Sequence, residues 1–199
     1  MTIERRVLLA GSASLALLPA TPSLAAATVG QPAPAFEAID SNDKKWSLAA
    51  LKGKVVVLET TNHDCPYVRK HYGTGNMQNQ QRQAAAKGVV WLSLVASAPG
   101  MEGHVTGLEA NELTASRKAA PAAVLLDPEG RVARAYGATV TPHMYVIDAN
   151  GILVYKGGID SIASSNPADI PKAKQYVMAA LDEVLSGKPV SDASTRPYG

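Results

Sequence analysis

Three short runs constrain what this chain can become: Lys54-Val55-Val56-Val57-Leu58-Glu59-Thr60, Val89-Val90-Trp91-Leu92-Ser93-Leu94-Val95 and Ala122-Ala123-Val124-Leu125-Leu126. Each is apolar on consecutive rather than alternate positions, so each reads as a strand covered on both faces inside a sheet flanked by helices. Helical signal lies between the first two. Pro66 suits a first helical position, and the signal runs through Tyr72, breaks at Gly73-Thr74-Gly75, and resumes from Asn76 as N-cap through Ala86 to Gly88. A strand, helix, strand order closes by a right-handed crossover, which makes the two strands parallel neighbours.

The remaining segments complete an α/β pattern. Phe36 to Ile39 reads as a short edge strand before the turn Asp40-Ser41-Asn42-Asp43. Val105 to Ala119 is predicted helical, and a short helix follows from Asp127-Pro128-Glu129-Gly130 to Tyr136. His143 to Ile147 and Ile152 to Lys156 flank Asp148-Ala149-Asn150-Gly151, a hairpin signal. Ile170 to Leu185 is predicted as a last amphipathic helix, with Ile170, Ala173, Val177, Leu181 and Val184 on one face. The expected architecture is a mixed central sheet with helices on both faces.

With 199 residues, 46% of them hydrophobic, one well-filled domain is expected. The net charge of +2 comes from scattered basic residues and leaves no electrostatic footprint for nucleic acid. The N-terminus has a different role. Arg5-Arg6, the apolar stretch Val7 to Ala20 and the small residues Ser23-Leu24-Ala25 form an export signal over residues 1–25, twin-arginine-like in its paired arginines. Pro19 and Pro22 interrupt a run too short to span a bilayer, so no stable membrane anchor is expected after cleavage and the mature protein is expected in the periplasm. The domain is then expected over 28–187, with an irregular tail at 188–199.

Export places the chain where paired cysteines oxidise, yet Cys65 is its only cysteine. A lone thiol in an exported protein is either inert and buried or reactive. Cys65 follows a central strand and precedes a helix, at the carboxyl edge where open α/β sheets put their sites. There the unpaired N–H groups of a first helical turn favour a thiolate. His63, Arg69 and His71 are close enough in sequence to add positive charge, while Asp64 would oppose them.

Together these elements resemble the thioredoxin-like superfamily, in its redoxin or peroxiredoxin-like (AhpC/TSA-type) branch. The residues that carry the resemblance are Gly30-Gln31-Pro32-Ala33-Pro34-Ala35-Phe36, Cys65-Pro66, Thr141-Pro142 and Asp148-Ala149-Asn150-Gly151. It implies a thioredoxin-like fold, a cis bond before Pro142 facing Cys65, and a Thr141 backbone able to pair with an extended substrate. Pro66, Thr141 and Pro142 would position that substrate. Two departures stand out. A dithiol motif would place its second cysteine at Val68, and a peroxiredoxin motif would place threonine at Asn62. The longer match Asn62-His63-Asp64-Cys65-Pro66-Tyr67-Val68-Arg69-Lys70-His71-Tyr72-Gly73 is similar to a less familiar peroxiredoxin-like group. Members often carry a further cysteine just beyond a segment like Thr195-Arg196-Pro197-Tyr198-Gly199. This sequence reaches Gly199 without one, so the resolving thiol is expected from outside.

The expected function is an exported monothiol oxidoreductase acting through Cys65 on peroxide or disulfide, with an external thiol reductant or a disulfide-bearing protein as partner. Two other readings stand beside it. His143 and Met144, if they faced Cys65 together with His63 or Met77, would offer copper a soft donor set. That spacing is not diagnostic, and the simpler reading leaves the methionines in the core and assigns no metal or other cofactor. The third reading is a non-catalytic scaffold that binds another protein through the same face.

Overall fold

A computed structural model describes residues 27–199; the expected export signal at 1–25 lies outside them. Among the described residues, seven strands form one sheet: β1 (Glu37–Asp40), β2 (Lys45–Ser47), β3 (Val56–Thr61), β4 (Val90–Val95), β5 (Ala123–Leu126), β6 (His143–Ile147) and β7 (Leu153–Gly157). Their order is β2-β1-β5-β4-β3-β6-β7, with β3, β4 and β5 mutually parallel and β6, β7, β1 and β2 joined antiparallel. The consecutive apolar runs become the centre because both faces are covered. Val56 and Leu58 pack on one side with Leu92, Leu94 and Leu125, while Val57 packs on the other with Trp91, Met144 and Val146.

The helices are α1 (Pro66–Gly73), α2 (Asn76–Ala86), α3 (Gly107–Ser116), α4 (Arg131–Ala135) and α5 (Tyr176–Leu185). α1, α2 and α5 bury Val68, Met77, Ala84, Val177 and Leu181 on the Val57 face. α4 lays Val132 and Ala135 on the opposite face. Helices therefore flank both faces, and the chain has the mixed α/β sheet expected of it.

Several local expectations change. β1 is not an edge strand: β2 pairs outside it, and the Trp46 indole donates to buried Asp40 at 2.8 Å to hold that polar three-residue strand. α2 starts at Asn76 itself, with Gly75 as its left-handed N-cap. α3 starts at Gly107 because Thr106 and Glu109 close a reciprocal capping box there. The predicted helix Ile170–Leu185 is two elements, a 3₁₀ turn at Pro167–Lys172 and then α5. Pro171 has no N–H to give an α-helical ladder, so the first part cannot continue into the second.

The tail beyond Lys188 has no helix or strand of its own, but it is docked. Ala193 and Thr195 exchange backbone bonds with Lys156 at 3.0 and 3.1 Å, covering the outer edge of β7. Gly157 permits that approach: a β-carbon on it would lie 2.1 Å from the Thr195 hydroxyl. The segment then runs on to Tyr198, which is buried among Lys70, His71 and Asp160.

Candidate active site

β3 ends at Thr61, and the loop to α1 tightens because Asn62 accepts the Asp64 N–H at 2.8 Å through its side chain and the Cys65 N–H at 3.2 Å through its carbonyl. That turn makes Cys65 the N-cap of α1, with Pro66 at N1, where its missing N–H costs nothing. Cys65 is buried and its Sγ donates to the Thr141 carbonyl at 3.0 Å. The Thr141–Pro142 bond is cis. Thr60 ties this loop to β3: its hydroxyl reaches the Val140 and His143 carbonyls at 3.2 and 3.3 Å and accepts the His143 N–H at 3.1 Å. Cys65, Pro66, Thr141 and Pro142 are thus brought together at the carboxyl end of the central strands.

The expected modulators separate. Arg69 is mostly exposed and grips Asp64 at 2.8 Å, with His63 3.4 Å from the other Asp64 oxygen, so the positive charge beside the thiol is matched locally. His71 is fully buried and points toward Asp160 and Tyr198. The Asn76 amide donates to its Nδ1 at 2.8 Å, which leaves the ring proton on Nε2. Burial lowers the His71 pKa to about 4, against an opposing pull from Asp160, so at neutral pH it adds no positive charge.

His143 corrects a second expectation. Side chains alternate along β6, and its ring stacks on Tyr145 at 4.6 Å, on the sheet face opposite the one that Met144 shares with Cys65. It therefore cannot join Met144 and Cys65 in one donor set, and Met144 and Met77 are core. Both His143 ring nitrogens are buried with no hydrogen-bond partner among the described residues, and burial pulls its pKa down to about 4. The folded value lies below the ordinary 6.5, so the unfolded chain binds more protons between the two. Stability from this group is complete above pH 6.5 and lost as pH falls toward 4. His143→Phe should flatten the acid limb of a urea-midpoint profile, removing a loss on the order of 3 kcal/mol across that window.

Sequence reasoning passed over Glu59. It is fully buried on the Cys65 face of β3 and receives Tyr72, Trp91 and Ser93 at 2.9, 2.8 and 2.9 Å, with the Gln81 amide at 3.5 Å. Burial raises its pKa above the ordinary 4.5 despite those four donors. A carboxylate inside an otherwise apolar central run was the available signal.

A family model described as the AhpC/TSA family matches residues 29–156, the stretch that holds the sheet up to the last residue of β7, Cys65 and the cis-proline loop. The chain belongs to the AhpC/TSA family. This AhpC/TSA member shares its thioredoxin-like fold with solved structures of low identity. An uncharacterised conserved protein from Geobacillus kaustophilus is 23% identical with a TM-score of 0.75, over 85% of this chain and 88% of that one. A hypothetical protein from Sinorhizobium meliloti 1021 is 22% identical with a TM-score of 0.73, over 88% and 93%. The thioredoxin domain of a thiol-disulfide oxidoreductase from Bacteroides vulgatus is 19% identical with a TM-score of 0.52, over 73% and 96%. No curated protein matches the sequence.

Proposed function

We propose that this AhpC/TSA member is an exported thiol oxidoreductase whose one redox-active group is Cys65. The observation that carries the reading is the placement of its sulfur at the α1 N-terminus, 3.0 Å from the Thr141 carbonyl of the cis-proline loop. Cys65 is itself the N-cap of α1 and its side chain makes no cap bond, so its sulfur lies where first-turn N–H groups favour a thiolate once the S–H proton leaves. With a peroxide, the thiolate takes the distal oxygen: an S–O bond forms, the O–O bond breaks, and the leaving alkoxide picks up a proton as the alcohol. An external thiol then condenses with the sulfenic acid, releasing water, and a second one releases Cys65 as the thiol with a disulfide as product. With a disulfide substrate, the same thiolate displaces one sulfur to give a mixed disulfide. Val68 fills the place of a second active-site cysteine and is fully buried, which supports an outside partner for the resolving step. The N-terminal charge and apolar pattern support export.

Mass spectrometry after exposure to hydrogen peroxide or oxidised glutathione, with alkylation rates across pH, tests this directly. Cys65 should gain one oxygen or one glutathione, and alkylate at neutral pH at least about tenfold faster than free cysteine. Cys65→Ser should remove every adduct. A thiol that stays unmodified in the folded protein sinks the reading in favour of a binding scaffold.

A further inference from the structure

Gly199 lies against the backbone of Thr141: a β-carbon built on it would sit 2.3 Å from the Thr141 oxygen and 2.7 Å from its nitrogen. The segment is held there by two anchors. Thr195 bonds to Tyr155 and Gly158, and the Tyr198 hydroxyl donates to the Asp160 carboxylate while its ring meets Tyr67 edge-on at 5.6 Å. Both edges of β6 are already paired, to β3 and to β7, so the backbone of Thr141 is where an extended polypeptide could pair beside Cys65. Gly199 occupies that place.

We propose that the segment Thr195–Gly199 sets the substrate class of Cys65, closing the Thr141 edge to polypeptide disulfides and leaving the thiol to disulfides too small to need that edge. This rests on the reading of Cys65 as the reactive thiol. In the step at issue, the Cys65 thiolate attacks one sulfur of a disulfide. A new S–S bond forms, the old one breaks, and the departing thiolate takes a proton from solvent; Cys65 is oxidised and the departing sulfur reduced. A polypeptide must first lift the segment to reach that geometry, whereas a small disulfide need not.

Three proteins are compared: the full chain, a variant lacking residues 196–199, and Gly199→Val, whose side chain cannot fit against Thr141 while the Tyr198 anchor remains. Mixed-disulfide formation is timed by mass spectrometry with 2-hydroxyethyl disulfide and with insulin. Both variants should speed the insulin reaction by about tenfold or more and change the small-disulfide rate by less than about threefold. Equal acceleration of both probes, no acceleration of either, or a full chain that attacks insulin as readily as the small disulfide overturns the proposal. If Cys65 reacts with neither probe in any of the three proteins, the oxidoreductase reading fails first, and that outcome is distinct from the others.

Discussion

Glu59→Ala should lower the unfolding free energy by about 3–5 kcal/mol, read as a shift in urea midpoint at constant slope. The Trp91 indole, the Ser93 and Tyr72 hydroxyls and the Gln81 amide all converge on this carboxylate, and alanine leaves them facing a small void. Each stranded buried donor costs about 1–3 kcal/mol, and the cost is less than their sum because Tyr72 and Gln81 already bond each other at 3.1 Å. Glu59→Gln should cost only about 1–2 kcal/mol, since its amide oxygen can still accept from Trp91 and Ser93. pH separates the two effects. Burial raises the Glu59 pKa in the folded protein, so the folded state holds this proton more tightly than the unfolded one. Its stabilising share is therefore complete below the ordinary value of 4.5 and is lost as pH climbs through the raised value. Wild type should gain on Glu59→Gln as pH falls toward 4.5, with the histidine contributions cancelling between the two proteins. A gap that does not change with pH would show that Glu59 keeps one charge state throughout.

The central strands were readable because β3 and β4 carry apolar residues on both faces, and a run of that kind has few other places to go. The junction holding Cys65 was readable for the same reason, since Pro66 and the following helical signal mark where the strand must stop. Other features depend on partners that local periodicity cannot name. Asp160 meets Lys70 ninety positions away, and Tyr198 meets His71 across more than a hundred. β2 escaped notice because three residues with one lysine and one serine carry no strand signature without Asp40 to bond the indole. The orientation of His143 was recoverable: residues alternate on a strand, so once Met144 is assigned to the core under α1, residue 143 belongs with 145. Placing the tail required the fold, because nothing in Thr195-Arg196-Pro197-Tyr198-Gly199 says that its glycine meets a residue before a proline in another loop.

That tail is anchored in a buried charge pair, and the pair offers a way to separate stability from access to Cys65. Lys70 and Asp160 have no exposed side-chain surface, with Nζ 3.5 Å from the carboxylate and 3.3 Å from the Ile162 carbonyl. Asp160 also accepts the Ile162 N–H at 3.0 Å and the Tyr198 hydroxyl. Asp160→Ala strands the lysine charge in the interior and should cost about 3–5 kcal/mol in denaturant unfolding. The double change Lys70→Met with Asp160→Leu removes both charges and should recover most of that loss, since burying an ion pair gains little over burying apolar groups of similar volume. Neither protein leaves Tyr198 an acceptor at position 160. If the Tyr198 hydroxyl bond is what holds Gly199 on Thr141, the double variant will be nearly as stable as wild type and yet will react with insulin as the shortened chain does. A double variant that regains stability and still excludes insulin would place the hold elsewhere, on the Thr195 bonds to β7 and Gly158.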